Sequence, residues 1–93
     1  MISAVIVTVK IAGEQQQHDM ELPVNVPIKE LAPKLLKALK SIEHRLFMSV
    51  ENIKIRYDKE NRYLSDIETL ASVGAWDGSV IIVEKGGDSR VNN

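Results

Sequence analysis

The sequence predicts an α+β fold, in which a mixed sheet of four to five strands is crossed by one helix. Two observations carry this prediction. Apolar residues alternate with polar ones near the start of the chain, and from position 28 they recur every three to four residues. A chain of 93 residues has room for one hydrophobic core. We therefore expect one domain over residues 1–85 and a flexible C-terminal tail over 86–93.

The first two elements are predicted to form an antiparallel hairpin. A polar turn around Gly13 separates two alternating runs, and Pro23 is typical of an edge strand because it lacks a donor for the ladder. The rows expected to face the core are Val5, Val7, Val9 and Ile11 in the first strand, and Met20, Leu22, Val24 and Val26 in the second.

The helix is predicted from the change of period after Pro27, a residue that suits a first helical turn. Pro33 lies well inside it, so we expect a kink there or a late start to the regular helix. The apolar face expected to lie on the hairpin comprises Ile28, Leu31, Ala32, Leu35, Leu39 and Ile42; Lys34, Lys37 and Lys40 form a basic strip on the outer arc, most simply a solvated surface.

The rest of the chain supplies three more strands. An alternating run over 53–57 predicts the third, a charged turn leads to a minor edge strand at 62–64, and the apolar run over 80–83 closes the sheet. The connector Leu46-Phe47-Met48 is expected to pack under the sheet; if exposed, it could pair two copies, so we expect a monomer or a weak homodimer. This order is the β-grasp arrangement.

Two segments carry a family resemblance. Residues 22–36, LPVNVPIKELAPKLL, and residues 69–80, TLASVGAWDGSV, resemble the strand-to-helix junction and the closing segment of YukD/EsaB ubiquitin-like proteins of bacterial type VII (WXG100, ESX-like) secretion. They are also similar to the ubiquitin-like domain of the EccD component. The resemblance covers about residues 5–83, with Ser79 where an acidic residue is common. It implies a non-catalytic cytoplasmic accessory or regulatory protein that contacts membrane-bound secretion components.

Two alternatives remain open. Gly86-Gly87 resembles the terminus of ubiquitin-like modifiers and sulfur carriers, in which a glycine pair threads an activating site. Activation here would first require removal of the residues after Gly87, and a glycine pair in a tail needs no such role. The closing segment is also similar to that of a small β-grasp subunit of multicomponent oxygenases.

A partner-binding surface is expected on the outer face of the sheet. If Ile53, Ile55, Val80 and Ile82 point inward, the outer face carries Lys54, Arg56, Ile81 and Val83. Arg56 stands about where ubiquitin has the central isoleucine of its patch, which favours a different partner, with an acidic one as the candidate. Trp76 is expected to cap the core before the turn at Asp77-Gly78, with a partner-anchoring role as the alternative.

Composition and charge exclude several functions. Hydrophobic residues make up 44% of the chain and charged residues 27%, with a net charge of −1, so nothing favours nucleic acid. The short N-terminal apolar run, interrupted by Lys10, predicts no membrane insertion. The chain has no cysteine, and neither His18 and His44 nor Asp66 and Glu68 have the spacing of metal ligands or of an acid-base pair. We therefore expect no catalytic site, metal or cofactor.

Overall fold

The computed structural model describes residues 2–86 and shows one five-stranded mixed sheet with a helix packed on one face. The strand order across the sheet is β2-β1-β5-β3-β4, with β1 and β5 parallel and the other neighbours antiparallel. The elements are β1 (Ala4–Ile11), β2 (Gln17–Pro23), α1 (Ile28–Ile42), the short α2 (His44–Phe47), β3 (Ile53–Tyr57), β4 (Arg62–Tyr63) and β5 (Val80–Lys85). The predicted α+β, β-grasp fold is confirmed.

The first two strands form the predicted antiparallel hairpin, and the core row of β1 is as predicted. Val7 on β1 lies opposite Met20 on β2, and Val9 lies opposite His18. Because side chains of a strand alternate between faces, the whole odd-numbered row of β1 points to the core, where Val7 and Val9 are fully buried. β2 is an edge strand, as Pro23 predicted.

Helix α1 begins at Ile28 and continues through Pro33 to Ile42, so the predicted late start is wrong. The chain before the last strand caps its first turn: the Ile28 N–H donates to the Glu68 carbonyl at 2.8 Å, and the Lys29 N–H donates to the Asp66 carbonyl at 3.0 Å. These bonds satisfy donors that have no partner within a helix. The start of the helix is therefore fixed by a loop distant in sequence.

The buried face of α1 differs from the predicted face at two positions. Leu36 is buried, whereas Ile42 is 49% exposed at the helix end. In the connector, Phe47 is fully buried, as expected, but Met48 is exposed. The core therefore lies between α1, the connector and the inner rows of β1, β5 and β3.

The end of β5 extends the sheet further than predicted. The Gly86 N–H donates to the Asn52 carbonyl at 2.7 Å, so Gly86 continues the ladder between β5 and β3. A Cβ at this position would overlap the side-chain amide of Asn52. Gly86 therefore has a packing reason of its own, whereas Gly87 and the rest of the predicted tail lie outside the described residues.

Candidate functional site

The outer face of the sheet, which the helix leaves uncovered, is built from even-numbered residues of its three central strands. Lys54 and Arg56 of β3 lie on it, as predicted. Ile81 and Val83 do not: both are fully buried, and the outward positions of β5 are Val80, Ile82 and Glu84. The prediction for β5 was wrong by one residue, and a shift of one position moves every side chain to the other face. We call Ile6, Val80 and Ile82 the outer apolar row.

The outer apolar row is central in the sheet. Ile6 is 51% exposed on β1, while Val80 lies opposite Thr8 and Ile82 lies opposite Lys10 across the parallel pair of strands. Val80 and Ile82 are both partly exposed. Glu84 could have predicted this row from the sequence. A carboxylate points to solvent, and the residues two and four positions before it, Ile82 and Val80, share its face.

The polar side of this face is a connected set of contacts around Glu84. Its Oε2 lies 3.3 Å from Nε of Arg56, and its Oε1 accepts a hydrogen bond from the Tyr63 hydroxyl at 2.7 Å. That bond raises the pKa of Tyr63. Arg56 also donates from Nη1 to Oδ1 of Asn61 at 3.0 Å. Arg56 is therefore fixed by its bonds to Glu84 and Asn61. It forms part of the polar border of the outer apolar row, and its charge is already paired.

Lys54 is the other cation of this face. It is exposed, and its Nζ lies 5.7 Å from the centre of the Tyr63 ring. A cation over an aromatic ring is weakly attracted to it at an exposed site. Lys54 therefore keeps its charge available to a partner more than Arg56 does.

The loop before β5 presents Trp76 to solvent. Trp76 is 66% exposed, so the prediction that it caps the core is wrong, and the alternative of an exposed anchor fits its position. The predicted turn at Asp77-Gly78 is present, and it fixes the loop to β1: the Ile6 N–H donates to Oδ1 of Asp77 at 2.8 Å, and the Gly78 N–H donates to the Ile6 carbonyl at 2.9 Å. An exposed tryptophan thus lies next to the first residue of the outer apolar row.

One histidine contacts a carboxylate near the end of α1. His18 lies half-buried with its Nε2 2.6 Å from Oε2 of Glu43, which ties β2 to the end of α1. Within residues 2–86, no three histidine, aspartate or glutamate side chains are grouped as metal ligands would be. No helix in that range is both long and apolar enough to traverse a bilayer.

Solved structures with similar folds come from secretion systems and from other β-grasp proteins. A chain of the ESX-5 inner membrane complex matches at 21% identity and a TM-score of 0.73, over 99% of this chain and 23% of that one. This chain therefore spans about a quarter of that relative. The EccD5 ubiquitin-like domain of Mycobacterium xenopi matches at 18% identity and a TM-score of 0.74, over 91% of this chain and 97% of the domain.

A third similar structure belongs to an enzyme complex. A chain of the toluene 4-monooxygenase HD complex matches at 17% identity and a TM-score of 0.70, over 90% of this chain and 100% of that one. At such identities the three likenesses show the fold alone. A comparison with curated proteins gave no match.

The family comparison covers most of the chain. Residues 6–83 match the family described as "WXG100 protein secretion system (Wss), protein YukD". This range runs from the first residue of the outer apolar row to the last buried residue of β5. The chain therefore belongs to the YukD family of ubiquitin-like proteins.

Proposed function

We propose that this protein is a non-catalytic accessory or regulatory component of type VII secretion, which acts on the cytoplasmic side by binding a membrane-bound component of the machinery. The family match over residues 6–83 and the likeness to a chain of the ESX-5 inner membrane complex support this proposal. The fold contributes a stable platform, and its surface supplies the contact.

The observation that carries the binding role is the outer apolar row beside Trp76. Ile6 and Trp76 are both more than half exposed, and the two main-chain groups of Ile6 are bonded to the loop that carries Trp76. Large apolar side chains on a rigid sheet surface are typical anchors of protein interfaces. The rim around Arg56 and Glu84 gives the polar border that such interfaces have.

Affinity capture from native cells tests this proposal. The protein, tagged at its N-terminus, should recover type VII membrane components, and Ile82→Asp should remove most of that recovery because it places a charge in the apolar row. Ile42→Asp is the matched control, since Ile42 is an exposed isoleucine at the end of α1 and should leave recovery unchanged. Equal recovery with both variants would contradict a role for this face.

The same experiment separates the two alternatives. Mass spectrometry should find peptides that continue past Gly87; a chain that ends at Gly87, or is joined through it to another protein, would indicate a modifier or sulfur carrier. Recovery of a di-iron hydroxylase instead of secretion components would indicate an oxygenase subunit, a role for which the likeness to the toluene 4-monooxygenase chain supplies only the fold.

A further inference from the structure

The edge of β3 is open at its first residue, Ile53. β4 pairs with Arg56 and Tyr57, and the next residue, Leu64, donates its N–H to the Ile55 carbonyl at 2.9 Å. Because the Gly86 N–H bonds to Asn52, alternation directs the main-chain groups of Lys54 to β5 and those of Ile53 away from it. Within residues 2–86, the structure gives the Ile53 N–H and carbonyl no hydrogen-bond partner. Such an edge can accept another strand.

A groove of about 570 Å³ runs between this edge and α1. An added strand would direct every second side chain towards the helix, and therefore into this groove. Its walls are mainly aliphatic, and the side chains that form them are Ile28, Ala32 and Leu36 of α1, Ile53 and Ile55 of β3, and Leu64 after β4. The groove thus offers apolar burial to one row of an extended segment.

Two lysines and two acids line the rim of the groove. Lys29 lies at the helix side of the groove and Lys54 at the strand side, and neither is in an ion pair within residues 2–86. Asp66 is an acid on the rim, and Glu51, also on the rim, already has an interaction of its own.

Lys54 lies beside the second row of an added strand, the row whose side chains would point away from the groove. Its side chain points to the outer face, next to the open edge, where a residue of an added strand would lie beside it. An acidic residue at that position would meet an exposed lysine rather than compete with an existing ion pair. The groove therefore favours apolar side chains in one row of the added strand, and Lys54 favours an acidic side chain in the other row.

We propose that the β3 edge binds an extended segment of a partner protein, in which aliphatic residues that fill the groove alternate with acidic residues that face Lys54. Main-chain bonds to Ile53 supply the added-strand geometry, and the two rows supply specificity. This site lies on an edge of the sheet and is separate from the outer apolar row, so the two surfaces can be tested independently.

The test is an NMR titration of the isotope-labelled protein with a capped synthetic heptapeptide of alternating valine and aspartate. Amide shifts should concentrate at residues 53–55, and exchange of the Ile53 amide with solvent should slow. A peptide of the same sequence that is N-methylated on its edge-facing amides should not bind, because it keeps the side chains but loses the donors. No shift at Ile53 with millimolar peptide, or equal binding of the methylated peptide, would overturn the proposal.

Charge reversal tests the second row. Lys54→Glu should weaken binding of the aspartate peptide by about two- to fivefold, the usual scale of an exposed cross-strand pair. The same variant should favour a peptide with lysine in place of aspartate. Lys34→Glu, at an exposed lysine of α1 that does not line the groove, is the matched control and should leave binding unchanged.

Two further outcomes would contradict the proposal in distinguishable ways. Shifts at Ile53 that grow with protein concentration in the absence of peptide would identify a second copy of this chain as the occupant. Shifts confined to Ile6, Val80 and Ile82 would assign the peptide to the outer face. Ile82→Asp should leave peptide binding at Ile53 intact, so failure of the secretion role and failure of this edge site give different results.

Discussion

Two consecutive isoleucines of β5 differ in burial because they lie on opposite faces of the sheet. Ile81 is fully buried in the core, whereas Ile82, the next residue, is partly exposed on the outer face. In β1, by contrast, Thr8 and Lys10 mark the outward row. The comparison shows that alternation assigns faces only where polar residues take part in it; in an aliphatic run, the pairing of the strand makes the assignment.

The largest expected effect comes from truncating these two isoleucines separately. Ile81→Ala should lower the free energy of unfolding by about 2–5 kcal/mol, because it leaves a cavity in a close-packed core. Ile82→Ala should lower it by less than about 1 kcal/mol, as a partly exposed position does. Urea denaturation of both variants measures the difference. Equal losses would mean that the assignment of the two faces is incorrect.

The next effect concerns the turn that sets the start of β5. Gly78 has φ of +94°, and a Cβ there would meet no atom within 4 Å. Gly78→Ala should therefore destabilise the protein by about 1–3 kcal/mol through backbone strain alone, without any clash. Thermal denaturation measures the loss. D-alanine at this position, introduced by chemical synthesis, should recover most of the stability; a loss as large as with L-alanine would refute strain as the cause.

A smaller effect is expected where the same turn joins the outer face. Asp77→Ala removes the acceptor that Oδ1 provides for the Ile6 N–H at 2.8 Å, and should cost about 1 kcal/mol. Amide hydrogen exchange at Ile6 should become faster. Asp77→Asn is the control, because its side-chain carbonyl can still accept this bond. If Asp77→Asn is as destabilising as Asp77→Ala, the carboxylate charge and not the hydrogen bond is what matters.

The smallest effect is expected at the solvent-exposed edge of the sheet, between β4 and the following turn. A bidentate contact from Arg62, and next a bond from the Ser65 N–H, lower the pKa of Glu68 from 4.5 to about 2. Because the folded-state pKa is lowered, this stabilisation is complete above pH 4.5 and is lost as the pH falls towards 2.

Replacing Arg62 tests whether its positive charge is what lowers the pKa of Glu68. Arg62→Gln should raise the pKa of Glu68 towards 4.5 and make the acid-induced loss of stability shallower. An NMR titration of the Glu68 carboxyl measures the pKa. Arg45→Gln, at an exposed arginine in α2, should change neither quantity. A Glu68 pKa that stays near 2 without Arg62 would assign the shift to the Ser65 main chain instead.

The limits of sequence reasoning are clearest at α1 and at Trp76. The period of three to four identified α1, but the predicted late start is wrong because the carbonyls of Asp66 and Glu68 cap the first turn from another part of the chain. Trp76 was placed at the core because it is large and apolar. Its exposure instead follows from the bonds that hold its loop to Ile6, and no local pattern indicates such bonds.

By itself, the sequence determined the β-grasp order of elements, the core row of β1 and the positions of α1 and β3, because each depends on a local period that neighbouring residues impose on the backbone. Only the tertiary structure decided which aliphatic residues of β5 are buried, that Gly86 continues the sheet, and that the β3 edge stays open at Ile53 beside a groove. These features depend on pairing between residues far apart in the chain. Such pairing is selected by the packing of the whole core and not by the composition of any one segment.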